Sequence, residues 1–317
     1  MRILLITPAA VHSRNGNRTT AIRWRKIFQL LGHDVTVAQQ YQNESADVMI
    51  AIHAWRSADA IEQFSAAHPN CPLIVVLSGT DAYRFIHSHP ETTLQSIQIA
   101  DRLVGLHSKI SQAIPEKYRN KVHVIYQSAE FTTCKKHNTE AFKVCVAGHL
   151  RTEKDPLRPA YATRALPKNS NIEIHHYGKA HSYEWAKQAR FEEARNPRYQ
   201  WHGEISQALL KNEMCGSQLL VLPSIMEGGA NIISEALAVS LPIVASKIDG
   251  NVGLLGEDYP GYFKTGSSED LRKLLLQAET NQDYYRKLTD ACIKRRHLFS
   301  PEKEVSSWKK LLQEICN

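Results

Sequence analysis

Short apolar runs alternate with segments of helical periodicity along most of the chain. The runs are rich in Val, Ile and Leu, which is typical of strands buried on both faces of a parallel sheet. The predicted strands cover residues 2–7, 35–38, 48–52, 73–77, 103–106, 122–126, 142–147, 172–176, 199–203, 219–222 and 243–245. Helical segments separate many of them, so the pattern predicts an α/β protein with parallel sheets.

A polar connector, Glu130–Ala141, divides the strands into two groups. With 317 residues and 43% hydrophobic content, the chain is long enough for two modest α/β domains. We predict a first domain over residues 1–138 and a second over residues 139–300. An amphipathic helix follows Pro301, with Val305, Trp308, Leu311, Leu312 and Ile315 on one face.

The segment from residue 219 to residue 245 has a strand–loop–helix–strand pattern. Glu227 lies in its loop beside Gly228 and Gly229, Asn231 is placed to cap the helix, and Glu235 follows one turn later. The glycines and the helix start offer N–H groups for a phosphate, and carboxylates accept hydrogen bonds from hydroxyls. This combination suits a sugar nucleotide. The alternative is a solvated surface glutamate and an ordinary amphipathic helix.

Polar side chains also follow several predicted strands of the first domain. The carboxyl ends of parallel strands form the edge where such sheets bind ligands. The candidate residues are His12, Gly16, Asn17 and Arg18 after the first strand, His53 after the third, and Gly79, Thr80 and Asp81 after the fourth. The alternative is that they are solvated loop residues, caps and turn formers.

The net charge of +7 and the pI near 9.0 are compatible with an anionic ligand. Lys and Arg are interspersed with acidic residues and no nucleic-acid motif is present, so we expect no nucleic-acid partner. A basic cleft for a diphosphate is the favoured explanation, and a solvated basic surface is the alternative.

Six cysteines are scattered without the spacing of a zinc site. We expect reduced thiols rather than disulfides, and a cytoplasmic location. No apolar run approaches the roughly 18 residues of a membrane span, and the first residues lack the long apolar stretch of a signal peptide.

The run EGGANIISEALAVSLPIV, from Glu227 to Val244, resembles the donor-site signature of glycosyltransferase family 4, which has the GT-B fold. The resemblance implies two Rossmann-like domains facing a cleft, with the C-terminal helix (301–317) crossing back to the first domain. It implies that Glu227 contacts the transferred sugar and that Glu235 holds the nucleotide ribose. The loop and first helical turn, Gly228, Gly229, Ala230 and Asn231, would complete the donor site. Gly229-Ala230 replaces the aromatic-Gly pair of the family.

A second loop, GHLRTEKD (148–155), is similar to the diphosphate-binding loop of that family. The family pattern is Gly-Arg followed by Lys, which implies roles for Gly148 and Lys154. His149 stands at the usual arginine position and Arg151 lies two residues later, so either could supply the cation. A positive charge is needed because the leaving diphosphate gains negative charge. With no D-x-D pair in the chain, we expect neither a metal nor another cofactor.

Six phrases narrow the resemblance to the selenosugar synthases of selenoneine biosynthesis. They are GNRTTAIRW (16–24), AIHAWRSA (51–58), LSGTDAYR (77–84), VIYQSAE (124–130), AGHLRTEKDP (147–156) and MEGGANIISEA (226–236). The resemblance implies that selenophosphate attacks the anomeric carbon of UDP-N-acetylglucosamine or UDP-glucose, forming a C–Se bond. The polar groups of the first domain would then hold the acceptor, because an anionic acceptor needs cations and N–H donors.

Two other functions stay open at the level of sequence. One is a conventional family 4 glycosyltransferase with an oxygen or sulfur acceptor, and the other is a nucleotide-sugar-binding protein without turnover. The preferred UDP-sugar, the anomeric configuration of the product and the oligomeric state are not specified by these patterns.

Overall fold

The computed structural model of the chain describes residues 1–11, 16–134 and 140–316. Two compact units are present. The first comprises Met1–Gln127 and the segment that begins at Pro301, and the second comprises Ser128–Ser300. The division therefore falls after Gln127, whereas the sequence pattern placed it after residue 138.

Each unit is built on one six-stranded sheet whose strands all run parallel. The first sheet contains β1 (Arg2–Ile6), β2 (Asp34–Ala38), β3 (Val48–Ile52), β4 (Leu73–Val76), β5 (Arg102–Gly105) and β6 (Val122–Val124), in the order β2-β1-β3-β4-β5-β6. The second contains β7 (Phe142–Ala147), β8 (Ile172–Tyr177), β9 (Tyr199–Gly203), β10 (Leu219–Leu222), β11 (Ile243–Ser246) and β12 (Tyr262–Phe263), in the order β12-β11-β10-β7-β8-β9. The α/β class predicted from the apolar runs is confirmed.

Helices connect most of the strands. They are α1 (Gly16–Leu30), α2 (Ala58–Ala67), α3 (Ile86–Ser88), α4 (Pro90–Ile99), α5 (Arg158–Thr163), α6 (Tyr183–Arg195), α7 (Gln207–Cys215), α8 (Asn231–Ala238), α9 (Asp249–Leu255), α10 (Ser268–Thr280), α11 (Gln282–Arg296) and α12 (Pro301–Cys316). A π-helix, Asp81–Phe85, leads directly into α3. Among the residues that the structure describes, no helix is long and apolar enough to cross a membrane.

Helix α12 packs on the first sheet together with α1. The Trp308 ring meets the rings of Trp24 and Phe28 edge-to-face, with centroid distances of 4.7 and 4.9 Å. The Trp24 indole N–H donates to Glu304 at 2.7 Å, whereas the buried Trp308 Nε1 has no hydrogen-bond partner among the described residues. The amphipathic face predicted for the C-terminal helix is therefore the face that is buried.

Two details of the structure differ from what the sequence pattern favours. The segment after β11 contains two glycines, yet Asp249–Leu255 is helix α9, buried from Gly250 onward. Asn231 was expected to cap α8 from outside, but it is the first helical residue, and the capping position is Ala230. The cause in α9 is tertiary burial, which stabilises a helix despite the low helix propensity of its two glycines.

The expectation of reduced thiols is wrong for one pair of cysteines. Cys134 and Cys215 form a disulfide across 81 residues of sequence, joining the connector after β6 to the last residue of α7. Cys71, Cys145 and Cys292 are free thiols. The pairing depends on proximity in the folded second unit, which sequence spacing does not reveal.

Candidate active site

The loop after β7 is shaped by a buried histidine beneath it. His176 donates from Nε2 to the Gly148 carbonyl at 3.0 Å and accepts at Nδ1 from the Tyr199 hydroxyl at 3.0 Å. Burial lowers the pKa of His176 to about 4, so the ring is neutral and fully hydrogen-bonded near pH 7. Gly178 lies against the same loop, where a Cβ would approach the Gly148 oxygen to 2.0 Å. The close approach requires glycine at position 178.

The two candidates for the diphosphate cation differ in their surroundings. His149 accepts at Nδ1 from the Lys179 backbone N–H at 3.1 Å. Burial, reinforced by the neighbouring His181, lowers the pKa of His149, so its ring is uncharged at neutral pH. Arg151 keeps its charge because a guanidinium does not deprotonate in proteins. Its Nε atom is buried and has no hydrogen-bond partner among the described residues.

Lys154 and Glu227 are brought together from separate loops at the carboxyl ends of β7 and β10. The Lys154 Nζ lies 2.5 Å from Glu227 Oε1, which also accepts from the Ser224 hydroxyl at 2.5 Å. The side chains are 18% and 8% exposed, so the pair is largely removed from water. The Ile225 N–H donates to the Glu153 carbonyl at 2.9 Å and fixes one loop against the other.

The backbone of Glu227 is held by the start of α9, which the sequence pattern did not identify as part of the site. A Cβ on Gly250 would lie 2.2 Å from the Glu227 carbonyl oxygen, so only glycine permits this contact. The Ser246 hydroxyl donates to the Ser224 carbonyl, and buried Asn251 donates to Ser246 O at 2.9 Å. In the sequence, the signal for this contact is the pair Gly250-Asn251, which follows a buried strand.

The second carboxylate, Glu235, lies one turn into α8, as predicted from the segment's periodicity. It is half-buried and accepts from the Gln207 amide at 3.4 Å. The loop before α8 includes Gly229 at φ 146°, a conformation that favours glycine. Gly228, Gly229 and Ala230 thus lead directly into the N-terminus of α8.

In the first unit, the candidates after β1 occupy the first turn of α1. The helix starts at Gly16, so Gly16, Asn17 and Arg18 are its first three residues. Asn17 and Arg18 are half-buried, and Gly16 is exposed. Their N–H groups and the positive end of the helix dipole favour an anion. His12 lies outside the described residues.

The candidates after β3 and β4 form one hydrogen-bonded cluster. His53 Nδ1 lies 2.7 Å from Asp81 Oδ1, and His53 Nε2 lies 3.0 Å from Thr80 Oγ1. Asp81 is fully buried, and its carboxylate also accepts backbone N–H groups from Ala54, Trp55 and Ser78 at 3.0, 3.0 and 2.9 Å. The carboxylate is therefore fully engaged by groups of the fold itself.

Comparison with known proteins identifies the family. Residues 129–295, more than half of the chain, match the family described as "Glycosyl transferases group 1". The chain belongs to this family. The match contains both loops described above, with Arg151, Lys154, Glu227 and Glu235. The predicted glycosyltransferase class is thereby confirmed.

One curated protein and two solved structures resemble this glycosyltransferase over most of its length. Glycosyltransferase 1 domain-containing protein 1 of Xenopus tropicalis is 23% identical over 287 residues, covering 82% of this chain and 83% of the relative. Anabaena HepE, solved in complex with UDP and glucose, superposes with a TM-score of 0.77 at 15% identity, covering 99% of this chain and 100% of HepE. Sucrose-phosphate synthase from Thermosynechococcus elongatus superposes with a TM-score of 0.77 at 15% identity, with 99% and 98% coverage. The fold of this glycosyltransferase is GT-B, as predicted.

Proposed function

We propose that this glycosyltransferase uses a UDP-sugar donor and that its second unit binds that donor. The observation that carries the proposal is the Lys154–Glu227 pair, which places a cation and a carboxylate 2.5 Å apart. Arg151 lies three residues before Lys154 on the same loop. A sugar nucleotide carries phosphates and hydroxyls close together, which matches a cation next to a carboxylate. The similarity to HepE, which was solved with UDP and with UDP-glucose, supports a uridine nucleotide.

In this proposal, cationic side chains bind the phosphates of the donor and carboxylates bind its hydroxyls. Lys154 and Arg151 stabilise the diphosphate as it gains charge on leaving, without a metal ion. Glu227 accepts hydrogen bonds from hydroxyls of the transferred sugar, and Glu235 accepts from those of the ribose. His149 is uncharged, so it helps to set the conformation of the loop and supplies no positive charge to the diphosphate.

We propose further that the acceptor is selenophosphate, bound by the first unit. The resemblance of six phrases to selenosugar synthases supports this choice, as do the N–H groups in the first turn of α1 and in the turn at Gly79–Thr80. The selenium atom supplies the electron pair for the new C–Se bond. The anomeric C–O bond breaks, and UDP leaves with its electrons. UDP-N-acetylglucosamine and UDP-glucose are the proposed donors.

The test is UDP release from each UDP-sugar, measured with selenophosphate, with a sugar hydroxyl or a thiol acceptor, and with no acceptor. We expect release that depends on selenophosphate and that EDTA does not reduce. Release only with a hydroxyl or thiol would assign a conventional glycosyltransferase. Binding without release under any condition would assign a non-catalytic protein, and activity restored to an EDTA-treated enzyme by magnesium or manganese would contradict metal independence.

Arg18→Ala should raise the KM for selenophosphate by one to two orders of magnitude. The lost charge-assisted hydrogen bond is worth roughly 1.5–3 kcal/mol, at about 1.4 kcal/mol per decade. UDP affinity, measured by calorimetry, should hardly change. Arg25→Ala, on an exposed position of the same helix, is the matched control. Weaker UDP binding with an unaltered acceptor KM would show that the α1 start serves the donor.

A further inference from the structure

The Asp81–His53–Thr80 cluster has a defined direction of hydrogen bonding. Two groups compete for His53 Nδ1: the Asp81 carboxylate, which only accepts, at 2.7 Å, and the Arg56 backbone N–H, which only donates, at 3.2 Å. The shorter contact assigns the His53 hydrogen to Nδ1. Nε2 then carries a lone pair and accepts the Thr80 hydroxyl hydrogen across 3.0 Å. The Thr80 oxygen in turn lies 3.0 Å from the Ser78 hydroxyl, whose own oxygen accepts the Asp81 N–H at 3.1 Å. The hydroxyl hydrogens therefore point toward the imidazole.

The two hydroxyl groups are the part of this cluster that a ligand can reach. His53 is 2% exposed and Asp81 is 0% exposed, whereas Thr80 and Ser78 are only partly buried. A ligand approaching the turn after β4 would meet the Thr80 oxygen, with the imidazole behind it. Since the Thr80 hydrogen is directed inward, its oxygen faces a ligand as an acceptor and matches a group that still carries a proton.

Helix capping accounts for only half of the cluster. The Ser78 hydroxyl accepts the Asp81 N–H and Asp81 Oδ2 accepts the Ser78 N–H, which is the reciprocal pattern of a capping box. This pattern needs neither His53 nor the Thr80 hydroxyl. Moreover, His53 has φ 81°, an uncommon conformation for a residue other than glycine. Backbone conformations of this kind concentrate at functional sites.

We propose that Asp81, His53 and Thr80 form a proton relay for the acceptor. The acceptor's proton passes to Thr80 Oγ1 while the Thr80 proton passes to His53 Nε2, and Asp81 stabilises the resulting imidazolium. The freed electron pair forms the bond to the anomeric carbon, UDP leaves with the electrons of the broken C–O bond, and His53 returns its proton to solvent. Thr80 is the catalytic contact, and His53 and Asp81 are positioning residues that act through it.

This inference rests on the proposed function only in placing the acceptor at the first unit. For selenophosphate, loss of the remaining ionisable proton would increase the negative charge on the nucleophile.

The charged group in contact with the imidazole is Asp81. Arg56 and Arg84, on the neighbouring turns, are exposed, and the Phe85 ring lies 5.7 Å from that of His53. The backbone N–H of Arg56 lies 3.2 Å from Nδ1.

The test compares Thr80→Val, which removes the hydroxyl, with Thr80→Ser, which retains it, and with His53→Gln. A lost proton-transfer group costs about 10²–10⁴-fold in rate, so Thr80→Val and His53→Gln should lose kcat to that extent, while Thr80→Ser should stay near the parent. The parent should show an acidic limb in its pH–kcat profile and a solvent deuterium isotope effect, both absent in His53→Gln. UDP affinity and thermal unfolding serve as controls.

Two outcomes would overturn the relay. A Thr80→Val enzyme with parental kcat and only a raised acceptor KM would reduce Thr80 to a binding residue, and an acidic limb that persists in His53→Gln would reduce His53 to a structural one. The comparison uses whichever acceptor, water included, releases UDP, so rejection of selenophosphate does not decide it. Independently of turnover, nitrogen-15 NMR of the imidazole should find the His53 hydrogen on Nδ1, and a hydrogen on Nε2 would contradict the relay.

Discussion

Glu227→Ala should lower kcat/KM by about 10²-fold or more, because transition-state contacts of this kind are worth that much in rate. The substitution removes the hydrogen-bond acceptor proposed for the transferred sugar. It also leaves Lys154, now 2.5 Å from Glu227 Oε1, without its carboxylate. Steady-state UDP release with the accepted donor and acceptor is the measurement.

Two variants separate this effect from general damage. Glu235→Ala should mainly weaken UDP binding, since it is the residue proposed to hold the ribose. Glu269→Ala removes an exposed carboxylate that pairs with Lys273 on α10, and it should behave like the parent. Parental turnover in both the Glu227 and the Glu235 variant would remove the basis of the donor-site assignment.

Arg151→Ala should weaken UDP binding and lower kcat/KM by one to two orders of magnitude. The physical reason is a charge-assisted contact worth roughly 1.5–3 kcal/mol, at about 1.4 kcal/mol per decade. His149→Ala should have a much smaller effect at neutral pH, because burial lowers the pKa of that ring and keeps it uncharged. Calorimetry with UDP and steady-state kinetics on both variants decide between the two residues.

The pH dependence gives an independent check of the same assignment. As the pH falls through the lowered pKa of His149, its ring gains charge, and any contribution to diphosphate binding would increase only there. UDP affinity in Arg151→Ala should therefore recover partly toward acidic pH and should not recover in the double variant Arg151→Ala/His149→Ala. A larger loss in His149→Ala than in Arg151→Ala at neutral pH would reverse the roles.

Local sequence pattern was sufficient for the frame of the site. Strands such as Val48–Ile52 and Leu219–Leu222 are continuous apolar runs because both faces of a parallel sheet are covered. The ends of such runs predict the positions of the loops that carry Lys154 and Glu227. The same argument placed His53 and Thr80 after neighbouring strands, and the structure joins them by a hydrogen bond of 3.0 Å.

What the sequence by itself determined, then, is the parallel-sheet class, the positions of the polar loops and the family motif. Only the tertiary structure decided how the polar groups are used. It paired Cys134 with Cys215 across 81 residues, and it buried a glycine-containing helix against the Glu227 backbone, where Gly250 has no room for a Cβ. It also left His149 neutral and directed the Asp81 carboxylate inward. The physical reason is that charge state and hydrogen-bond direction depend on burial and on partners distant in sequence, whereas strand formation depends on a few consecutive residues.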